Sequence, residues 1–577
     1  MMDVSSALTT GYECLVAWSD LLDRINVFPV ADGDTGTNLR ISLTPLRDHG
    51  DGPNDSRGDQ LSRCATGNSG NIAAAFFREF IGGSAPDQLV DRAACGRDRA
   101  WQAVAAPRRG TMLSVFDTLA AVLANERWHT DYPDVREQLR RSVLDGARHI
   151  PEVRQASVVD AGALAMFIFF DGFCQRLLGN AEISVAVLTL FAGRLRIGDD
   201  FRATTNDQWC VDAVLAAPDA SAETLQALSE LGDSVVLLPG NGQVKIHVHT
   251  PEPDRLRERL AGFGDVIDWS GEAIETNGPD WPAMHDSEQV VHILSDAAGS
   301  LTRELAGRAG ISLLDSYIVA DGQSRPESLC SPAAIYRLLR AGTKVTTAQA
   351  SIFERHQSYR RICEQLGRTI YLCVGSAFTG NVETALAWKR EHDPGDLLEV
   401  VDTGAASGRL GLITLLTAHF ARTTVSVEQV SEFARRRLND CREYVFIDEL
   451  QYLVAGGRVS RAGGFFGDLL HLKPVISPTS AGVRKEGVVR NRKGQRAFAL
   501  ARLSEFYSAA DRPTIMLQFT DNEDWVTERV GGEITGLLPR AEVLVVPLSL
   551  TSGVHMGPGT WSVACGPARD EAVSGEP

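Results

Sequence analysis

Asn26-Val27-Phe28-Pro29-Val30-Ala31-Asp32-Gly33-Asp34-Thr35-Gly36-Thr37-Asn38 is the stretch on which the reading of this chain turns. Asp32 and Asp34 flank Gly33, so their carboxylates converge only if the backbone bends, which Gly33 and Gly36 permit. Two carboxylates brought close repel one another. A divalent cation removes that cost, and magnesium prefers hard oxygen ligands of this kind. Asn26 adds a neutral amide oxygen upstream, and Thr35, Gly36 and Thr37 offer hydroxyls and backbone N–H groups suited to phosphate. An Asp-Gly turn that merely caps a helix is the plainer alternative for Asp-Gly-Asp taken alone.

Three further segments follow in the chain. Gly67-Asn68-Ser69-Gly70 precedes a helix beginning near Ile72, and a helix N-terminus with small residues is a good anion site. Gly110-Thr111-Met112 and Val158-Val159-Asp160-Ala161-Gly162 come next. Each could be a turn, but the four segments in this order resemble the ATP-binding subunit of bacterial fatty acid kinase. More distantly they resemble the L subunit of dihydroxyacetone kinase. The resemblance implies an all-α helical barrel in which clustered Asp side chains hold magnesium, and magnesium holds the ATP phosphates. It makes Asp32 and Asp34 the catalytic magnesium ligands, with Asn26 assisting. Thr37, Asn38, Gly67, Asn68, Ser69 and Gly70 would then lie at the phosphates, and Thr111, Met112 and Asp160 at the nucleotide. Two positions depart from the family pattern: Thr66 stands where Arg is usual, and Arg109 where Glu is usual.

Residues 1–190 read as helical, from apolar spacing in Ala7–Leu22, Ile72–Ile81, Thr111–Leu123 and Gly162–Leu178. Asp48–Asp55 and Pro107–Gly110 read as loops. Residues 195–276 read as a small α+β module. Its strands are expected at Gln208–Ala216, Ser234–Leu238 and Val244–Thr250, with a helix at Ala222–Leu231. His247 and His249 flank Val248 and so share a strand face, and Cys210 lies on another strand. A thiolate and two imidazoles suit zinc with an open fourth position, although two histidines so spaced are often plain packing residues. The module resembles the middle domain of the same kinase protein, which implies that Cys210, His247 and His249 bind zinc.

Asn277–Glu288 reads as a linker. Beyond it, apolar strands at Val290–Leu294, Thr369–Val374, Leu397–Val401 and Glu443–Ile447 alternate with helices at Pro332–Leu339, Asn381–Lys389 and Ser407–Phe420. Such alternation predicts α/β layers with a partly parallel sheet. Residues 288–565 resemble the DegV family of two-lobed α/β fatty-acid-binding proteins, and 566–577 form a polar tail. The matching segments contain Ser295-Asp296, Thr347, Ser376, Gly456-Gly457-Arg458-Val459-Ser460, a turn at Leu472-Lys473-Pro474, and His555-Met556-Gly557-Pro558-Gly559. By resemblance Thr347 and Ser376 bind a fatty acid carboxylate, and Arg458 and His555 complete the head-group site and take part in catalysis.

The net charge of -17 argues against unaided nucleic-acid binding, which needs a basic face. No apolar run reaches the roughly 18 residues of a membrane span. Ten scattered cysteines without a C-x-x-C pair, and a start without a signal-peptide pattern, lead to the expectation of a reduced cytoplasmic protein. The whole reads as a multidomain fatty acid kinase using ATP, Mg2+ and Zn2+. It would act on a fatty acid ligand, hand an acyl phosphate to an acceptor enzyme at the membrane surface, and assemble as a homodimer. The rival readings are a small-polyol kinase of the dihydroxyacetone type and a non-catalytic fatty-acid sensor.

Overall fold

The computed structural model describes residues 3–47, 54–82, 88–125, 128–180, 182–202, 208–216, 220–274, 291–320, 323–424, 426–455 and 472–569. The chain divides into two compact units, Met1–Pro279 and Asp280–Pro577.

The first unit opens with helices α1 (Val4–Arg24), α2 (Thr35–Ser42), α3 (Asn54–Cys64), α4 (Gly67–Phe80) and α5 (Leu89–Ala103). It continues with α6 (Met112–Leu123), α7 (Tyr132–Gly146), α8 (Pro151–Gln155), α9 (Ala161–Leu177) and α10 (Val187–Leu190). The loop expected up to Asp55 is shorter, because Asn54 and Asp55 already belong to α3. Helix α9 is buried on all sides, as a helix apolar around its whole circumference must be. Its partner α1 comes close because Gly11 lies against Phe169, and Gly172 against Cys14. Phe76, Phe77 and Phe80 of α4 pack on Phe169, Phe170 and Phe173 of α9, with Phe116 of α6 stacked on Phe76. Full burial of such a ring contributes about 1.5–3 kcal/mol.

The same unit closes with β1 (Trp209–Ala216), α11 (Ala222–Ser229), β2 (Asp233–Gly240), β3 (Gln243–Thr250), α12 (Pro253–Ala261) and β4 (Asp265–Ala273). The strands form one antiparallel sheet in the order β2-β3-β1-β4. Strand alternation sorts its side chains. Val211, Ala213, Leu215, Ile246 and Val248 pack with Leu228 of α11 and Leu256 and Leu260 of α12. Cys210, Asp212, Lys245, His247 and His249 are left for the opposite face.

The second unit runs β5 (His292–Asp296), α13 (Arg303–Ala309), β6 (Ile311–Leu314), β7 (Tyr317–Ala320), β8 (Gln323–Pro326), α14 (Pro332–Arg340), β9 (Val345–Ala348) and α15 (Ile352–Leu366). Next come β10 (Thr369–Cys373), α16 (Asn381–His392), β11 (Leu398–Asp402), α17 (Ser407–Ala421), α18 (Val427–Asp440), β12 (Arg442–Phe446) and α19 (Leu450–Ala455). It ends with β13 (Lys473–Thr479), β14 (Gly482–Val489), α20 (Arg492–Phe506), β15 (Thr514–Phe519), α21 (Gly532–Leu537), β16 (Glu542–Pro547), α22 (Leu550–Met556) and β17 (Trp561–Gly566). A parallel sheet β11-β10-β5-β6 and a mixed sheet β14-β13-β12-β17-β15-β16 enclose α17, whose Leu410, Leu412 and Leu416 share a core with Ile293, Leu372, Met516 and Ala564. A small antiparallel sheet β8-β7-β9 carries Thr347. The turn expected at Lys473-Pro474 is instead the first rung of β13, where Pro474 pairs opposite Val488. The linker expected at Asn277–Glu288 lies outside the described residues.

Candidate active site

A cleft of about 380 Å³ opens in the first unit, within the range of small-molecule sites. Its walls hold Asn26, Asp32, Asp34, Asn68, Ser69, Thr111, Met112 and Asp160 together with Cys210 and His249. Residues far apart in sequence, from the helical part and from the sheet, thus share one cavity. Four helices begin at its wall. Asp34-Thr35 opens α2, Asn68 and Ser69 lie in the first turn of α4, Thr111-Met112 opens α6, and Asp160 caps α9. Helix N-termini carry unsatisfied N–H groups and partial positive charge, so their convergence favours an anion. Arg108 also lines the cleft, its guanidinium 5.5 Å from the centre of the Phe28 ring.

Against this positive field stand two partly buried acids. Burial raises the pKa of Asp32, and the Asp23 charge adds to it. Burial, then the charge of Asp32, raises Asp34 well above the ordinary carboxylate range. Asn26 donates from Nδ2 to Asp32 Oδ1 at 2.5 Å, and its own Oδ1 is buried with no partner. Three oxygen-bearing side chains, one with an orphaned acceptor and two with a cost for ionising together, make a donor set that fits magnesium. Asp160 sits apart from this pair. Burial lifts its pKa to about 7, and its Oδ1 caps α9 by accepting from Ala163 N at 2.8 Å.

Of the residues expected at the phosphates, Asn68 and Ser69 line the cleft, while Thr37, Asn38, Gly67 and Gly70 are not among its lining residues and make contacts within the frame. Thr37 gives both its N–H and its hydroxyl to Asp23, at 3.0 and 2.8 Å. Gly67 has φ +64°, and a Cβ there would lie 2.0 Å from Asn38 Nδ2. A Cβ on Gly70 would strike Ser42 Oγ at 2.0 Å. Thr66 N donates to Ser42 Oγ at 3.0 Å, and the Arg109 guanidinium lies 6.0 Å from the centre of the Trp101 ring.

Strand register places Cys210 opposite His249 and Asp212 opposite His247. Donor atoms of Cys210, His247 and His249 all lie within 4.8 Å of one another. His247 Nε2 and His249 Nδ1 are buried and unpartnered. Burial, then the neighbouring His247, lowers the His249 pKa to about 3, so that imidazole is already the neutral ligand form. Burial, then Asp212, pushes the Cys210 thiol up, a cost that coordination to a cation reverses. His247 Nδ1 lies 3.3 Å from Asp212 Oδ1, the carboxylate–imidazole pairing that orients a metal-binding histidine. The trio therefore fits a metal such as zinc.

In the second unit Thr347 Oγ1 and His555 Nε2 are in hydrogen-bond contact at 3.1 Å. Ser376 is exposed and held by Asp402, which accepts from its N–H at 3.1 Å and its hydroxyl at 2.5 Å. Ser295 and Asp296 are buried within β5, and Asp296 accepts from Arg355, Tyr371 and Asn381 at 2.9 Å each. They are fully engaged in structure. Arg458 and its Gly-Gly turn lie outside the described residues.

Comparison with known families follows the same division. A DAK2 domain model matches residues 29–175, the middle-domain model of proteins like the A chain of fatty acid kinase matches 206–276, and a DegV family model matches 290–567. This chain joins a DAK2 domain, a fatty acid kinase A-like middle domain and a DegV domain. A DegV domain-containing protein of Streptococcus pyogenes serotype M1 is 25% identical over 277 residues, which is 47% of this chain and 96% of that protein. An uncharacterized protein of Staphylococcus haemolyticus is 27% identical over 282 residues, 43% of this chain and half (50%) of its own length. Among solved structures, a fatty-acid-binding DegV family protein from Thermus thermophilus is similar, with 26% identity, TM-score 0.44, and coverage of 48% of this chain and 99% of its own. The DegV fatty acid binding protein from Bacillus subtilis is similar at 20% identity and TM-score 0.44, covering 48% of this chain and 99% of its own.

Two acids at the site escape a motif-based reading. From the end of α1, Asp23 caps α2 through Thr37, which leaves Asp34 free of that task although it is the residue before the helix. Its signal was position: an acid in the last turn of α1 faces the unfavourable pole of that helix. In the middle domain, Asp212 shares a strand face with Cys210, two residues away, so period-two counting from the cysteine would have found it. Among the described residues no helix is long and apolar enough to cross a membrane.

Proposed function

We propose that this chain is a fatty acid kinase that carries its own lipid-binding domain. MgATP occupies the cleft of the DAK2 domain, and the DegV domain presents a fatty acid whose carboxylate takes the γ-phosphoryl group. The observation that carries the reading is the cleft. Four helix N-termini surround a pair of mutually interacting, partly buried carboxylates, in a chain that also matches a fatty acid kinase middle domain.

The acceptor carboxylate is ionised near neutral pH, since carboxyl groups titrate around 4 to 5. One of its oxygens bonds to the γ-phosphorus while the bond from that phosphorus to the bridging oxygen of ADP breaks. The products are an acyl phosphate and ADP, with no proton to move. Asn26, Asp32 and Asp34 are the residues that hold magnesium, which when bound offsets charge on the phosphate oxygens. The N-termini of α2, α4, α6 and α9 contribute fixed partial positive charge to the same oxygens. Asp160 and Thr111 border the nucleotide, and Cys210, His247 and His249 hold zinc. Thr347 and His555 hold the acyl carboxylate, with Ser376 and Arg458 assigned to the same head group. The acyl phosphate is a reactive mixed anhydride and requires an acyl acceptor enzyme to consume it.

The test compares wild type with Asp32→Asn and His555→Ala for fatty-acid-stimulated ADP release. Asp32→Asn is expected to lose at least about a hundredfold in turnover while retaining bound lipid. His555→Ala is expected to lose lipid stimulation while still binding MgATP. Undiminished turnover in Asp32→Asn would refute the magnesium assignment.

A further inference from the structure

Asp212 belongs to none of the motifs, yet its carboxylate accepts from three donors and faces a fourth polar group. Oδ2 takes the N–H of Gly67 at 2.9 Å and the hydroxyl of Thr66 at 3.2 Å. Oδ1 takes Asn71 Nδ2 at 2.9 Å and faces His247 Nδ1 at 3.3 Å. Thr66, the residue before α4, makes no capping bond of its own. Asp212 therefore caps α4 from a strand about 145 residues away in sequence. The adjacent strand completes the arrangement, because Lys245 donates from Nζ to the carbonyls of Ser62, Arg63 and Ala65 at the end of α3. One sheet face thus sets an acid on a helix N-terminus and a base on a helix C-terminus, each at its favourable pole.

The contacts continue toward the magnesium site. The Asn38 carboxamide lies close against Gly67, and Asn38 N donates to the Asp34 carbonyl at 2.8 Å. An unbroken series of touching groups thus runs from His247 through Asp212, Gly67 and Asn38 to Asp34. His247 Nδ1 lies 3.3 Å from Asp212 Oδ1 and 4.0 Å from Cys210 Sγ, so the carboxylate touches the imidazole that the trio offers a metal and influences its tautomer.

We propose that Asp212 is a positioning residue that couples the Cys210–His247–His249 trio to the Gly67–Asn71 turn, so that metal in the trio and MgATP in the cleft favour one another. The inference rests on the reading of both sites given under Proposed function. An ionised carboxylate can accept from all three donors at once. An Asn of the same shape must turn its own N–H2 toward at least one of them.

The experiment uses the full chain, zinc and a non-hydrolysable MgATP analogue. In wild type, stripping zinc with a chelator is expected to weaken analogue binding by roughly 5- to 150-fold and to speed deuterium uptake at the amides of Gly67–Asn71. Asp212→Asn is expected to hold zinc roughly 10–100-fold more weakly. Its analogue affinity should no longer respond to zinc, and its uptake at Gly67–Asn71 should be fast with or without the metal. The inference is overturned if the analogue responds to zinc equally in both proteins, or if uptake at Gly67–Asn71 ignores both zinc and the substitution. The wild-type uptake measurement needs no variant, so it decides even if Asp212→Asn folds poorly. A wild type that binds zinc but no MgATP analogue removes the kinase reading, while uptake at Gly67–Asn71 still judges the link through Asp212.

Discussion

At the scale of single residues, two helix starts at the site are capped by acids from elsewhere in the chain. Asp23 serves α2 and Asp212 serves α4. Asp160 is the contrasting case, an acid that both caps its helix and is buried. Its pKa is raised from the ordinary aspartate value to about 7, so the folded state prefers the protonated form. The sign follows: that preference is fully present below about pH 4 and is lost as pH rises through about 7. Asn caps helices as well as Asp does and does not ionise. Asp160→Asn should therefore melt a few degrees above wild type at pH 8, and the gap should close toward pH 4. Equal pH dependence in the two ligand-free proteins would show that Asp160 stays ionised. Gly67→Ala combines a left-handed backbone with a Cβ driven into Asn38. A loss of about 1–3 kcal/mol in denaturant unfolding is expected, together with weakened MgATP binding. That Asn26, Asp32 and Asp34 line one cleft was legible in the sequence because they lie in one short segment. Asp23 and Asp212 were not, because what they do depends on partners 14 and 145 residues away.

At the scale of elements, the helices found from the sequence were those rich in large apolar residues, such as α4, α6 and α9. Helix α5 buries Leu89, Ala93, Gly96, Ala100 and Ala103, and α7 buries Val135, Leu139, Val143 and Gly146. Both lie in the part read as helical but were not singled out: α5 buries mostly small residues, and α7 sets its Val135, Leu139 and Val143 in a charged background. Strand β4 is mostly exposed along its length and carried no alternation to read. Strands β5, β10 and β12 were anticipated to within two residues at each end, because runs buried on both sides stand out, and the partly buried edge strand β11 was anticipated as closely. One element matters to the acyl site beyond its own length. Helix α22 carries His555, and its start is tied down by Glu327, which accepts from Thr551 N at 2.7 Å and Thr551 Oγ1 at 2.6 Å. Glu327→Ala leaves both donors unpaired and should cost about 1–3 kcal/mol of stability. Fatty acid retention should weaken with it, read by lipid co-purification and by denaturant midpoint. Unchanged values of both would show that α22 is held by its apolar contacts alone.

At the scale of the whole molecule, two compact units bring separate chemistries to one chain. The first holds a cleft suited to a magnesium-bound polyphosphate, and the second holds Thr347 against His555 on a DegV domain. The division into helical, α+β and α/β parts was visible in the change of texture along the sequence. The cleft shared by the DAK2 and middle domains was not, since no local pattern tells that Cys210 and His249 line the same cavity as Asp32. The central claim is that both substrates meet on this one polypeptide. Its most direct measurement incubates the purified chain with MgATP and a panel of long-chain fatty acids, trapping acyl phosphate with hydroxylamine as the hydroxamate. Fatty-acid-dependent hydroxamate from this chain alone is the expected result. No hydroxamate from a chain that binds both MgATP and fatty acid would contradict the account.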